Sequence, residues 1–142
     1  MTRQIFNIFA GASLLVMLGV APLFAQSGST MILVQVPFAF VVGDRTLPAG
    51  EYTVRSEGPV GVLIQNTDGK AAIFALPHAI QSPKATPHSR LVFHQYGDTY
   101  FLSELWRPGN NTGQKLNMSP RELELARGQA TPEVRSIVAQ QR

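Results

Sequence analysis

Cysteine is absent from this sequence, and that one absence excludes several classes of protein. No disulfide can staple the chain, no thiol can act as a nucleophile, and no zinc site can be built on thiolates. Charge is scarce too: only 15% of the 142 residues are Asp, Glu, Lys or Arg. The isoelectric point lies near 9.7, yet the formal net charge is just +3 and basic residues nowhere stand three in a row. A nucleic-acid or acidic-lipid surface needs cationic side chains gathered on one face, so no nucleic-acid partner is expected. Hydrophobic residues make up 44% of the chain, too many for wholesale disorder. Its length allows one domain and excludes a large multidomain enzyme.

The amino-terminal stretch is also nearly free of charge. Arg3 is the only charged residue before Asp44, and Ile5 to Ala25 reads IFNIFAGASLLVMLGVAPLFA, apolar or small but for one asparagine. A short basic start, an apolar run and a small residue before a polar segment form the secretory pattern. Residues 1–25 are therefore read as a secretory signal peptide, cut between Ala25 and Gln26, with Leu23 larger than the ideal small residue. The rival reading is an uncleaved anchor, because 21 residues also span about 30 Å of hydrocarbon. Pro22 and the following QSGST favour cleavage. The expected destination is the periplasm or the extracellular space, with membrane contact only through the signal segment if it is retained. Cleavage removes only Arg3 among the charges, leaving a chain of net +2 that must hold itself together by burial alone.

Residues 26–30 read as a flexible mature terminus, 31–117 as a β-domain and 118–142 as a helical extension. MILVQVPFAFVV (31–42) places Val34, Val36, Phe38, Phe40 and Val42 on one face at period two, with Gln35 and Pro37 opposite. The proline predicts an edge position or a bend. Glu51 to Arg55 forms a short strand with Tyr52 and Val54 inward. Val60, Val62 and Ile64 alternate next, and Asp68-Gly69 marks a hairpin returning through Lys70 to Leu76, by a two-residue turn or a longer loop. Residues 77–89 hold three prolines and read as the longest irregular connection. Arg90–Tyr96 and Thr99–Trp106 flank a Gly97-Asp98 turn. That register sets His94 opposite Phe101 and Ser103 opposite Val92. Leu91, Phe93, Leu102 and Trp106 then share one face, and Val92, Tyr96, Phe101 and Leu105 the other. Both faces are apolar, so the hairpin is expected to be covered on both sides. Ser119-Pro120-Arg121-Glu122 reads as a capped helix start running to about Arg127 and stopping at Gly128. Thr131-Pro132-Glu133 suggests a second helical piece through Gln140, with Val134, Ile137 and Val138 as its apolar stripe. The sum is an all-β fold, an antiparallel β-sandwich or small barrel of about six to seven strands with a short C-terminal helical segment.

The run VPFAFVVGDRTLPAGEYTV, then LVFHQYGDTYFLSELWRPG and SPRELELAR, resembles small exported proteins common in acidobacterial genomes, a likeness that covers nearly the whole mature chain. It implies export and brings no catalytic or binding residues with it. Separately, LPAGEYTV looks like the hairpin of exported prealbumin-like and carbohydrate-associated β-domains.

Chemistry-bearing patterns are few. His78, His88 and His94 lack H-x-H, H-x-x-x-H or H-E-x-x-H spacing, so ordinary loop and strand histidines are expected rather than a metal site. No G-x-S-x-G elbow surrounds a serine. His94 and Ser103 share a face but sit diagonally, without a carboxylate to orient the ring. Asp98 and Glu104 lie about 20 Å apart along one strand at 3.3 Å per residue, too far for paired-carboxylate glycosidase chemistry. Glu104 is expected beside Arg90 or in solvent. No phosphate-cradling glycine loop occurs. Asn110-Asn111-Thr112 and Asn117-Met118-Ser119 match the N-glycosylation triplet and mark surface loops. Trp106, Tyr100 and Tyr96 would make a sugar-stacking platform if exposed, although large rings more often fill the core, as expected for Phe93 and Phe101.

The expectation is thus a non-catalytic protein with no cofactor, no metal and no catalytic residues. It would serve as an interaction or structural module of the envelope or extracellular space, acting on a protein or glycan partner through a sheet face or edge. The alternative is a carbohydrate or small-ligand binder using its aromatic residues. An enzyme built on His94 and nearby acids ranks last.

Overall fold

The alternating apolar run 31–42 does not form one strand. In the computed structural model, which describes residues 31–128 and 130–141, it breaks at Pro37 into β1 (Met31–Val36) and β2 (Phe40–Val42). The two halves then pair with different neighbours: β1 with β4 (Gly50–Ser56), and β2 with β3 (Arg45–Leu47). Proline cannot donate to a ladder, so the chain bends there and carries one apolar face around a corner. Val34, Val36, Phe40 and Val42 are all buried, and Phe38 packs beside them at the bend. The signal segment, its cut after Ala25 and the terminus 26–30 lie outside the described residues.

LPAGEYTV builds the next corner. Tyr52 and Val54 point inward as expected, both essentially buried, and the Tyr52 hydroxyl donates to the carbonyl of Pro48, four residues back. That bond anchors the turn before β4 to the strand itself, the logic of a tyrosine corner. A short 3-10 turn (Gly58–Val60) leads to β5 (Val62–Asn66) and β6 (Ala72–Ala75). The Asn66–Gly69 turn is the longer of the two forms allowed by the sequence. Asn66 Oδ1 accepts from Asp68 N at 2.9 Å, Asp68 Oδ1 accepts from Lys70 N at 2.9 Å, and Gly69 supplies φ 75°.

The proline-rich connection contains an unexpected strand, β7 (His78–Gln81), which pairs with β10 (Thr112–Lys115). Both are short, with no alternation to betray them; β7 draws its ladder bonds from β10 alone, while β10 also pairs with β9 (Thr99–Trp106). The rest of the connection is stitched to the 107–111 loop. Thr86 Oγ1 donates to Arg107 O at 2.8 Å, and Gly109 N donates to Thr86 O at 2.9 Å.

β8 (Ser89–Tyr96) and β9 (Thr99–Trp106) meet through the predicted two-residue turn, with Gly97 at φ 59°. Near the turn the pairing is as expected, His94 opposite Phe101 and Phe93 opposite Leu102, but the register shifts between Val92 and Phe93. Ser103 is the extra residue, so Val92 faces Glu104 rather than Ser103, and Leu91 faces Leu105. A one-residue slip exchanges faces. Leu105 therefore joins Leu91, Phe93 and Leu102 in the core, while Trp106 turns away from them to lie opposite Arg90.

The helix α1 (Pro120–Arg127) begins and ends where the sequence indicates. Ser119 Oγ accepts from Glu122 N at 3.1 Å, Pro120 opens the first turn, and Gly128 follows the last residue. The second helical piece is not formed. Residues Glu133–Gln141 are a strand, β11, pairing with β8 over seven residues and with the end of β1 over two. β-Branched residues are indifferent helix formers, and the open edge of β8 offered seven ladder pairs to an extended chain. The 118–142 segment is therefore half helix and half a central strand that joins the two parts of the sheet.

The result is one curled sheet of eleven strands in the order β3-β2-β9-β8-β11-β1-β4-β5-β6, with β10 and β7 continuing from β9. It is mostly β as expected, but it is a partly closed, mixed half-barrel rather than an antiparallel sandwich, because β2 runs parallel to β9. One core of Ile32, Val34, Tyr52, Ile64, Phe93 and their neighbours fills the curl. A second small cluster of Val41, Tyr96 and Phe101 lies under Leu125 of α1.

Candidate functional site

The two ends of the sheet path, β3 and β6, do not pair with each other. They form the lips of a seam, spanned by one side chain: Arg45 Nη1 donates to Ala72 O at 3.3 Å. The ladder between β5 and β6 fixes which backbone groups face it. Asn66 N bonds Ala71 O, and Ile64 lies opposite Ile73. Alternation then directs the polar groups of residues 71, 73 and 75 toward β5 and those of Ala72 and Phe74 toward the seam. Beside this edge lies a groove of about 300 Å³ lined by Val42, Gly43, Ile73, Phe74, Leu76 and Leu116 among others. Phe74 is 47% exposed and Leu76 68%. An unpaired edge beside exposed apolar side chains is a template for another strand. Sequence reasoning missed it because an edge is a property of sheet order, and FALP gives no sign of lacking a neighbour. Val134 and Val138 are exposed as well, on β11, which pairs with β8 over residues 133–139 and with β1 only at Gln140 and Gln141; the cavity beside that strand is about half the volume of the groove at β6.

The residues weighed for catalysis are placed elsewhere. His78 lies in β7, His88 just before β8 and His94 within β8. Among the described residues no three His, Asp or Glu side chains gather as a metal site would require. His94 does have an orienting carboxylate, contrary to expectation: its Nδ1 lies 2.8 Å from Glu122 Oε1 on α1. Their 28-residue separation in the chain hid the pair. Both side chains are largely buried, 16% and 4% exposed, so the pair ties the helix to the sheet instead of facing a substrate. Tyr96 sits beside Glu122. Burial, then the charge and the hydrogen-bonding pull of Glu122, push its phenol above the ordinary value, although among the described residues no group, Glu122 included, meets the hydroxyl with hydrogen-bond geometry. Ser103, at the bulge, is buried and its carbonyl accepts from Leu116 N at 2.8 Å.

The aromatic trio does not form an exposed platform. Trp106 is 4% exposed, its Nε1 donates to Glu104 Oε2 at 2.8 Å, and the Arg90 guanidinium lies 5.6 Å from its ring centroid. Glu104 is thus held by the indole rather than by Arg90. Tyr100 stacks on Phe38 at 3.7 Å, and Tyr96 packs edge-on to Phe101 beneath α1. Asp98 sits in the turn before β9, and Glu104 near the other end of that strand. No helix among the described residues is long and apolar enough to cross a membrane.

No protein-family model matches this chain, and no curated protein or solved structure is significantly similar to it.

Proposed function

We propose that this protein is an exported, non-catalytic interaction module of the envelope or extracellular space that takes up an extended apolar peptide as an added strand on β6. The observation that carries this reading is the β6 edge, unpaired by any strand among the described residues, beside exposed Phe74 and Leu76 and a mostly apolar groove that also holds Asp44 and Asn117. Backbone bonds to Phe74, and to Ala72 once Arg45 releases its carbonyl, give such a peptide its affinity, and side chains at alternate positions, set into the groove, give it specificity. The secretory pattern of residues 1–25 supports a role outside the cytoplasm. A second copy of the chain is a poorer occupant. Its own β6 is only four residues long, too short a strand to bury by itself the roughly 1,000 Å² that a specific dimer needs.

The test is selection of displayed peptides on the purified protein, followed by affinity measurement on two variants. Phe74→Pro removes an amide that faces the seam while leaving the β5 ladder intact. Phe74→Thr removes the ring and keeps the amide. The selected peptides should alternate apolar residues and bind Phe74→Pro at least tenfold more weakly, with Phe74→Thr intermediate. Undiminished binding to folded Phe74→Pro, or concentration-dependent dimers that vanish in that variant, would overturn the proposal.

A further inference from the structure

At a different place in the fold, the loop after β9 presents a cation without a counter-charge. Arg107 is half-buried, and burial lowers its guanidinium pKa from the ordinary value. Among the described residues no Asp or Glu oxygen lies within 4.0 Å of it; the carboxylates that do form ion pairs are taken by Arg55, Lys70, His94 and Arg135. It lines an open cleft of about 300 Å³ together with His78, Asn110, Thr112 and Gln114, and with Gly58, Pro59 and Gly61 of the segment before β5. No acidic side chain among the described residues lines that cleft.

The cleft is held in shape from behind. Arg107 O accepts from Thr86 Oγ1 and Pro108 bridges to Thr86. Asn110 Oδ1 is engaged by Thr112 N at 2.9 Å, which leaves its amide nitrogen as a donor. Gly113 backs the wall so closely on Trp106 that a Cβ there would lie 2.7 Å from the ring. A guanidinium donates two parallel hydrogen bonds to an oxyanion, and the amide, hydroxyl and imidazole groups around it can donate to or accept from hydroxyls. The volume matches the smallest ligand pockets.

We infer that this cleft binds a small polyhydroxylated carboxylic acid, of the size and chemistry of a sugar acid, with Arg107 on its carboxylate. The inference is independent of the β6 edge, which shares none of these residues.

The test uses D-glucuronate as the probe, D-glucose as its uncharged counterpart and inorganic phosphate as the competing oxyanion, followed through backbone amide shifts of the whole protein. Glucuronate should shift Gly61, Ala79, Thr112 and Gly113 saturably, with a Kd of about 1 mM or tighter, and glucose should not. Arg107→Gln should weaken binding at least tenfold and Arg107→Lys less, while both retain the dispersed spectrum of the fold. Equal responses to glucose, responses unchanged in Arg107→Gln, no saturable shift at all, or binding of phosphate without glucuronate would each overturn the assignment.

Discussion

Replacing Tyr96 by phenylalanine should stabilise this protein, against the usual direction of core substitutions. The hydroxyl is buried with no hydrogen-bond partner among the described residues, and Oε1 of the nearby Glu122 is engaged by His94. An unsatisfied buried polar group costs about 1–3 kcal/mol. The ring keeps its edge contact with Phe101, 5.7 Å between centroids, and its place under Leu125. We expect a gain of about 1 kcal/mol, seen as a rise of roughly 3–6 °C in Tm for a domain of this size. The same variant carries a pH signature. Burial raises the phenol's pKa in the folded state above its ordinary value of 10.0, so above that pH the unfolded chain releases a proton which the folded chain retains. Stability from this group is therefore complete below pH 10.0 and lost as pH rises toward the folded value. The phenyl ring of the variant cannot ionise, so the gap between the two proteins should widen above about pH 10. Thermal melts at neutral and alkaline pH read both effects. A loss of about 1 kcal/mol or more at neutral pH would refute the reasoning and show that the hydroxyl is bonded to Glu122.

Gly113→Ala should destabilise by about 1–3 kcal/mol, because its Cβ meets three Trp106 ring atoms at 2.7–2.8 Å. With a single tryptophan in the chain, the near-ultraviolet circular dichroism reports the displaced ring directly. Removing residues 130–142 should abolish cooperative unfolding, since β11 joins β8 to β1. A dispensable helical tail would instead leave the urea transition nearly unchanged.

What the sequence made legible was local. The face Val34-Val36-Phe40-Val42, the Asp68-Gly69 and Gly97-Asp98 turns and the Ser119–Glu122 cap all follow from a few adjacent residues, and all stand where those residues put them. What it concealed depended on distant partners. The spacing of Val134, Ile137 and Val138 fits a helix as well as a strand, and the inward pair Ile137 and Ala139 is a weak signal because alanine carries little apolar surface. The Ser103 bulge leaves no mark in a stretch apolar on both faces, so Leu105 and Trp106 exchanged sides unannounced. β7 and β10 have no apolar pattern; β7 exists through β10, and β10 through β9 and β7. The candidate edge and the cleft at Arg107 are defined by which strands lack a neighbour and which residues, with no acid among them, the fold gathers around a half-buried cation, and neither is a property of residues adjacent in the chain.

Amide hydrogen exchange at Phe74 tests the central claim, that β6 is an edge built to receive a strand. In the free protein its amide should exchange fast while those of Ile73 and Ala75, held by β5, are protected. Addition of a selected peptide should slow Phe74 at least tenfold and leave Ile73 and Ala75 unchanged. A Phe74 amide already protected in the free protein, or one that stays fast while the peptide is bound, would contradict the account.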